Sequence, residues 1–490
     1  MEYQVPLLRK AYAERIIVSL PHGYELSIDE VEIFSDLAVE IAYVPDHFSL
    51  SEALLFVLNT VGLQNENHEP LRLMHGDTLM DDLPQGVDLI AVSVTEDDYN
   101  WESEGVNSNH PLVWCGYFSF SSQSEFVRSL ALAQGSFVQA VRIYSERIKL
   151  NFKELSGWHD LGHVNTYFVS RSQITTQRVF NSLRIQNGAV WKSGTQQKKI
   201  QAESEWFGNL PAKLKRYTPQ LIDAGTDAST NAPFYVIEYL PFSPLNEVFV
   251  HGRNPDFYWS RIFKLMVNFL GDARSCVATD STTLEAIKSD AFDLYENKTY
   301  TRLEEYSSIA SVNMSESNRY GGVVLPSLFE IAEDCIRRTL LLPIVPSVLH
   351  GDLCFSNMLF DSRSVSIKVI DPRGINQQQE LTIFGDQKYD LAKACHSVVG
   401  LYDFIISGRY QIERDESGEK SIRFRADDRL LNIQKLFMEV DFIPGVKVSE
   451  IMPLTVLLFL SMLPLHSDRP DRQEAMLVNA LRLYAEYVVV

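Results

Sequence analysis

Apolar positions follow two rhythms along the chain. Between residues 11 and 97, short apolar runs alternate with segments of helical spacing. The runs at 15–20 (RIIVSL), 39–44 (VEIAYV), 71–74 (LRLM) and 89–94 (LIAVSV) read as strands. Residues 49–61 place Leu50, Leu54, Leu55, Val57 and Leu58 at the spacing of an apolar helix face. Segment 114–120 (WCGYFSF) reads as another strand and 124–132 as a helix. Strands that alternate with helices predict an open α/β sheet covered on its faces. Ligands in such sheets collect beyond the carboxyl ends of the strands, and Asp77 stands just past the run 71–74.

The rhythm changes after residue 177. Segment 178–186 (RVFNSLRIQ) reads as a strand, Asn187-Gly188 as a hairpin turn, and 189–192 (AVWK) as the returning strand. Residues 198–210 predict a helix that Pro211 stops. An apolar strand follows at 234–240 (FYVIEYL). From Asp256 onward the pattern is helical, at 257–270, 281–295, 304–309 and 325–342. Segment 315–322 is a polar break, and 414–429, of mixed charge, reads as an exposed excursion. The longest apolar run, 451–465, contains Pro453 and Pro464. It falls short of the ~20 residues of a spanning helix and predicts a buried one, so no transmembrane segment is expected.

Candidate chemistry concentrates in 349–374, LHGDLCFSNMLFDSRSVSIKVIDPRG. Asp352 and Asn357 stand in a D-x-x-x-x-N spacing, a short hairpin follows (358–361 and 367–370), and its second strand ends on Asp371. That spacing suits phosphoryl transfer: one carboxylate reaches the acceptor hydroxyl, while a second carboxylate and an amide oxygen hold Mg²⁺ against the phosphates. Asp352 is thereby the base or orienter, Asn357 and Asp371 are the metal ligands, and His350 braces the loop. Cys354 needs no role as a nucleophile and reads as a small filler.

This stretch resembles the aminoglycoside phosphotransferase and choline kinase-like family, whose motif is H-G-D-x-x-x-x-N followed by I-D and then an Asp-Leu-Ala segment, here Asp390-Leu391-Ala392. Pro372-Arg373-Gly374 departs from the aromatic residue and Gly of many members. The resemblance implies a two-lobed, protein-kinase-like α+β domain that uses ATP and Mg²⁺ on a small-molecule acceptor. It makes Lys192 the candidate for the phosphate-binding lysine, with Lys198 and Lys199 as competitors. Its carboxylate partner is Glu203, or Glu205 if the helix phase differs. Glu238, Tyr239 and Leu240 fall where the connector between the lobes presents its backbone to adenine. Asp390 reads as a residue that caps or braces a helix.

Residues 6–172 resemble a sugar-phosphate nucleotidyltransferase of the GT-A-like fold, on Gly76-Asp77 after a strand, the aromatic strand at 114–120, and Gly157-Trp158-His159-Asp160-Leu161-Gly162-His163 with Tyr167 beyond. By that resemblance Asp77 and Asp160 are the two metal-binding carboxylates. The first strand of that family and its glycine-rich phosphate loop are absent, so the resemblance implies a truncated Rossmann-like open sheet. Such a domain is either vestigial, completed by a second chain, or active as a nucleotidyltransferase.

Composition narrows the partners. Of 490 residues, 45% are hydrophobic and 22% charged, as in ordinary globular proteins. A net charge of −20 argues against non-specific nucleic-acid binding. Five scattered cysteines without a C-x-x-C pair read as reduced thiols of a cytoplasmic protein, and the N-terminus shows no signal-peptide core. The expected organisation is a nucleotidyltransferase-like domain over 1–170, a kinase-like N-lobe over 171–245 and a C-lobe over 246–490. A homo-oligomer or a polysaccharide-assembly partner is the expected association.

Overall fold

The run LIAVSV is apolar at nearly every position because both of its faces are covered. The computed structural model describes all residues except 2, 12, 25, 27, 62–69, 96–101, 108–109, 164–165, 167–169, 171–180, 187, 195, 228–230, 278–279, 311–312, 417, 425–427 and 490. The chain divides into two units, Met1–Thr175 and Thr176–Val490.

The first unit runs α1 (Gln4–Lys10), β1 (Ile17–Pro21), α2 (Ile28–Asp36), β2 (Glu40–Val44), α3 (Leu50–Thr60), β3 (Leu71–Met74), β4 (Thr78–Met80), β5 (Leu89–Val94), β6 (Ser103–Asn107), β7 (His110–Phe120), α4 (Gln123–Leu132), α5 (Phe137–Arg147), β8 (Asn151–Glu154) and β9 (Trp158–Asp160). Its main sheet has the order β3-β7-β5-β8, with β6 on β7. Along β5, Ile90 and Val92 join Phe118, Phe120 and the helices α3, α4 and α5. Leu89 and Ala91 turn to the other face, with Cys115, Tyr117 and, from α1, Leu7 and Leu8. The predicted strands and helices are present, with ends shifted by a residue or two and β7 longer. The expected single open sheet is divided and mixed: β3 and β5 are antiparallel to β7, β8 is parallel to β5, and β1 with β2 forms a separate parallel pair. Tyr167 lies outside the described residues.

The second unit begins with an antiparallel sheet, β10 (Asn181–Gln186), β11 (Ala189–Gly194), β12 (Leu221–Thr226) and β13 (Pro233–Glu238), in the order β10-β11-β13-β12. Helix α6 (Gln197–Asn209) packs on it through Ile200, Trp206 and Phe207. Asn187 of the predicted turn, residues 178–180 and most of the predicted linker at 168–177 lie outside the described residues. After β14 (Ser243–Pro244) the lobe is mainly helical: α7 (Leu245–His251), α8 (Asp256–Arg274), α9 (Ser281–Phe292), α10 (Lys298–Ala310), α11 (Leu328–Leu341), α12 (Lys388–Val398), α13 (Tyr402–Ile406), α14 (Asp428–Glu439), α15 (Val448–Met462) and α16 (Pro470–Tyr487). A small sheet and one helix followed by a large helical lobe is a protein-kinase-like, two-lobed layout.

Two expectations for this lobe change. The polar break near 315–322 is a hairpin, β15 (Ser317–Tyr320) and β16 (Val323–Ser327), turned by Gly321 and Gly322 at φ +62° and +77°. The excursion near 414–429 holds a second hairpin, β21 (Tyr410–Arg414) with β22 (Lys420–Phe424). The apolar run near 451–465 is α15 and a following turn. Together, at Val448–His466, they span 19 residues of mean hydropathy 1.8, enough by length and composition to cross a membrane. The helix is instead the centre of the lobe, with Ile451 through Leu460 all buried.

Candidate active site

The returning strand β11 places Lys192 opposite Tyr235 of β13. The lysine side chain is 5% exposed, a burial that an ammonium tolerates only with partners. It has two: Glu203 Oε2 at 2.6 Å and Asp371 Oδ1 at 3.0 Å. Burial acts to lower the Lys192 pKa, but Asp371 and Glu203 outweigh it, and the net shift is upward. Glu203 is fully buried on the inner face of α6 and also accepts from the Tyr235 hydroxyl at 2.6 Å. The competitors lie elsewhere. Lys199 is exposed on α6, 3.9 Å from Glu203 Oε1. Glu205 faces outward and accepts from Asn209 Nδ2 at 3.1 Å.

The HGD loop lies between β17 (Pro346–Val348) and β18 (Met358–Asp361), and β18 turns into β19 (Ser366–Val369). Gly351 sits at φ +78°, where an added Cβ would press against Arg373 Cβ at 2.7 Å. Inside α12, Asp390 accepts from the N–H groups of His350 at 2.8 Å and Gly351 at 2.7 Å. It therefore braces the loop and does not cap a helix. Burial pushes its carboxyl up to about 7. His350 is buried, so its imidazole is held down at about 4 and stays neutral. Its Nε2 lies 2.9 Å from Ile370 O, and its Nδ1 accepts from Asp352 N at 3.3 Å. The ring thus ties the loop to the segment just after β19 that carries Asp371.

Asn357 Nδ2 donates to Asp352 Oδ2 at 3.0 Å and to Asp352 O at 2.9 Å. Lys393 Nζ of α12 meets Asp352 Oδ1 at 2.8 Å. Burial acts to raise the Asp352 carboxyl, but Lys393, His350 and Asn357 overcome that and hold it at about 2. Asp371 is about half exposed and sits at φ +57°, a left-handed conformation that Asp tolerates better than most residues. Cys354 is buried with its thiol raised to about 12 and 3.2 Å from Ser356 Oγ, which suits a filler.

The loop and α6 are fastened together. Trp206 Nε1 donates to Leu349 O at 2.8 Å. Gly374, at φ +63°, lies so close to α6 that an added Cβ would run into the Ala202 carbonyl. Lys192, Glu203 and Asp371 therefore form one ionic chain that links β11 and α6 to the segment after β19, and Asp352 and Asn357 form a second hydrogen-bonded group on the same loop system.

The donor set suits Mg²⁺. With Nδ2 of Asn357 committed to Asp352, its Oδ1 is the atom left for a cation, and Asp371 adds a carboxylate. Two oxygen donors match an ion that takes its remaining ligands from phosphates and water. Among the described residues, no three His, Cys, Asp or Glu side chains gather as a protein-only metal cage.

In the lobe connector, Glu238 N already donates to Gln220 O at 2.9 Å and Tyr239 N to Gly188 O at 2.8 Å, while Leu240 O accepts from Phe242 N at 2.8 Å. In the first unit, Thr78 of β4 pairs with Asp160 of β9, which brings Asp77 and Asp160 to one edge. Asp77 packs against Gly162. Asp160 is buried and occupied, accepting from Gly162 N at 3.2 Å and Thr166 Oγ1 and lying 2.8 Å from His163 Nδ1.

Lys393 and Arg373 are residues that the spacing of the motif did not reveal. Arg373 anchors the loop: its N–H donates to His350 O at 2.8 Å, and its guanidinium lies 3.6 Å from Asp290 and over the Tyr389 ring.

No protein-family model and no curated protein matches the chain. Among solved structures, it is similar to the choline kinase LicA from Streptococcus pneumoniae at 14% identity and TM-score 0.35, over 64% of this chain and 91% of that one. It is similar to a thermostable mutant of the aminoglycoside phosphotransferase APH(4)-Ia at 10% identity and TM-score 0.36, over 66% of this chain and 99% of that one. It is also similar to an ethanolamine kinase from Plasmodium vivax at 12% identity and TM-score 0.32, over 71% of this chain and 94% of that one.

Proposed function

We propose that the chain transfers the γ-phosphoryl group of ATP to a hydroxyl of a small molecule. The observation that carries this reading is the ionic chain Lys192–Glu203–Asp371 together with the Asp352–Asn357 pair, joined where Ile370 N donates to Asn357 O at 3.0 Å. Lys192, held by Glu203, offers its ammonium to the nucleotide phosphates. Asn357 and Asp371 would hold Mg²⁺, which neutralises phosphate charge when bound. Asp352 orients the acceptor hydroxyl. A carboxyl at about 2 is a weak proton acceptor before the reaction begins, so positioning is the larger part of its work. The acceptor class we favour is a sugar or sugar derivative, with amino alcohols as the competing class, and surface polysaccharide assembly is the setting that would use such a product. A scaffold without catalysis is disfavoured by the complete set of these five polar side chains.

The test is calorimetric titration of ATP with Mg²⁺ into the wild type and Asp371→Asn, followed by an acceptor screen with sugars and amino alcohols. Binding to the wild type that weakens in the variant is expected. No binding to the wild type would sink the proposal, and equal binding in both proteins would move the metal to another residue.

A further inference from the structure

β1 and β3 each pair with one strand, β1 with β2 and β3 with β7. Between them lies a cavity of about 620 Å³ whose wall includes the successive residues 14–19 and 70–77. Side chains of a strand alternate between its faces, so several successive residues share one cavity wall only where the cavity runs along the strand's edge. Both strands therefore turn an edge to this space.

The ladders identify the backbone groups on those edges. Glu40 N donates to Ile16 O and His22 N to Val44 O, both at 2.9 Å, so the even-numbered residues of β1 address β2. Ile17 and Ser19 direct their N–H and C=O groups the other way. His75 N donates to Gly116 O at 2.9 Å, in register with the β3–β7 ladder, so Arg72 and Met74 direct theirs away from β7. None of these four backbone N–H groups has a backbone partner among the described residues.

The space is also covered above and below. Leu54 and Leu58 of α3 line it on the face of the sheet that holds Leu71 and Leu73. Leu8 of α1 lines it on the face that holds Met74. A strand covered on both faces is apolar throughout.

The geometry points to a receptor for an extended strand from a partner protein, a run of about five mainly apolar residues that pairs with β1 on one edge and β3 on the other. Two facing rows of backbone donors and acceptors are complementary to the partial charges along both edges of a strand. A nucleotide or a sugar would answer only one patch of them. The incoming strand would join the β1–β2 pair to the main sheet of the first unit and remove two open edges, which are otherwise templates for unwanted pairing.

The test uses the full chain and a lysine-flanked synthetic peptide of five alternating valines and isoleucines, with hydrogen exchange read at single amides. The amides of Ile17, Ser19, Arg72 and Met74 exchange fast in the free chain and slow by about tenfold or more at saturation. A peptide with proline at its third apolar position binds about tenfold more weakly or worse, and so does Ser19→Pro, which loses a cavity-facing N–H and spares the β2 ladder. Slow exchange of the four amides in the free chain overturns the proposal, because the edges are then already paired. It is equally overturned if the peptide gives no protection, or if protection comes only from dimerisation of the chain or from an added sugar nucleotide.

Discussion

His350 shows how one buried side chain sets a pH response. Its imidazole is held at about 4 in the folded chain, against about 6.5 when unfolded. Between those values the unfolded chain binds the extra proton, so stability falls as pH drops from 6.5 to 4, by up to about 3 kcal/mol from this residue. Asp390, raised to about 7, acts with the opposite slope between pH 4 and 7, so the histidine's share must be isolated. Urea unfolding at pH 7 and pH 4.5 should show a larger acid loss in the wild type than in His350→Gln. Equal losses would mean that the imidazole is charged in the fold. At this scale much of the candidate site was legible. Asp352, Asn357 and Asp371 are tied by a fixed spacing within one loop and hairpin, and Lys192 lies on a strand whose partner helix is marked by Pro211. Lys393 was not legible, because its contact with Asp352 spans two elements and no local pattern distinguishes it from any other helical lysine.

At the scale of elements, packing rather than propensity sets the site. Gly374 combines a left-handed backbone with contact against the Ala202 carbonyl, so Gly374→Ala pays both strain and overlap. A loss of about 2–4 kcal/mol in chemical denaturation is expected, together with weaker nucleotide binding. A change below about 0.5 kcal/mol would show that the loop and α6 can separate freely. Strands such as β5 were readable from their apolar runs because both faces are buried. The hairpins β15–β16 and β21–β22 were not, since their exposed polar faces leave little alternation to read. Sheet pairing in the first unit escaped too: apolar runs say that strands are covered, not which neighbour each one takes or in which direction.

Over the whole molecule, the apolar cores respect the division of the chain. One core lies wholly within Thr176–Val490, and two smaller ones lie within Met1–Thr175. Calorimetric melting should therefore resolve two transitions, with ATP and Mg²⁺ raising only the one that belongs to the second unit. A single transition that moves as a whole would contradict two separately cooperative units. Within the second unit, the core is continuous from Ile200 on α6 to Val488 near the end of the chain. In regulated kinases, a helix that carries a lysine-pairing glutamate is a switch that swings the glutamate away until a signal restores it. Here that helix is pinned by the indole of Trp206 and by the close approach of Gly374. Its glutamate is held against Lys192, and the ion pair is already assembled. Under the proposed function, an ion pair built into the fold in this way would leave control to how much of the protein is made and how much acceptor reaches it.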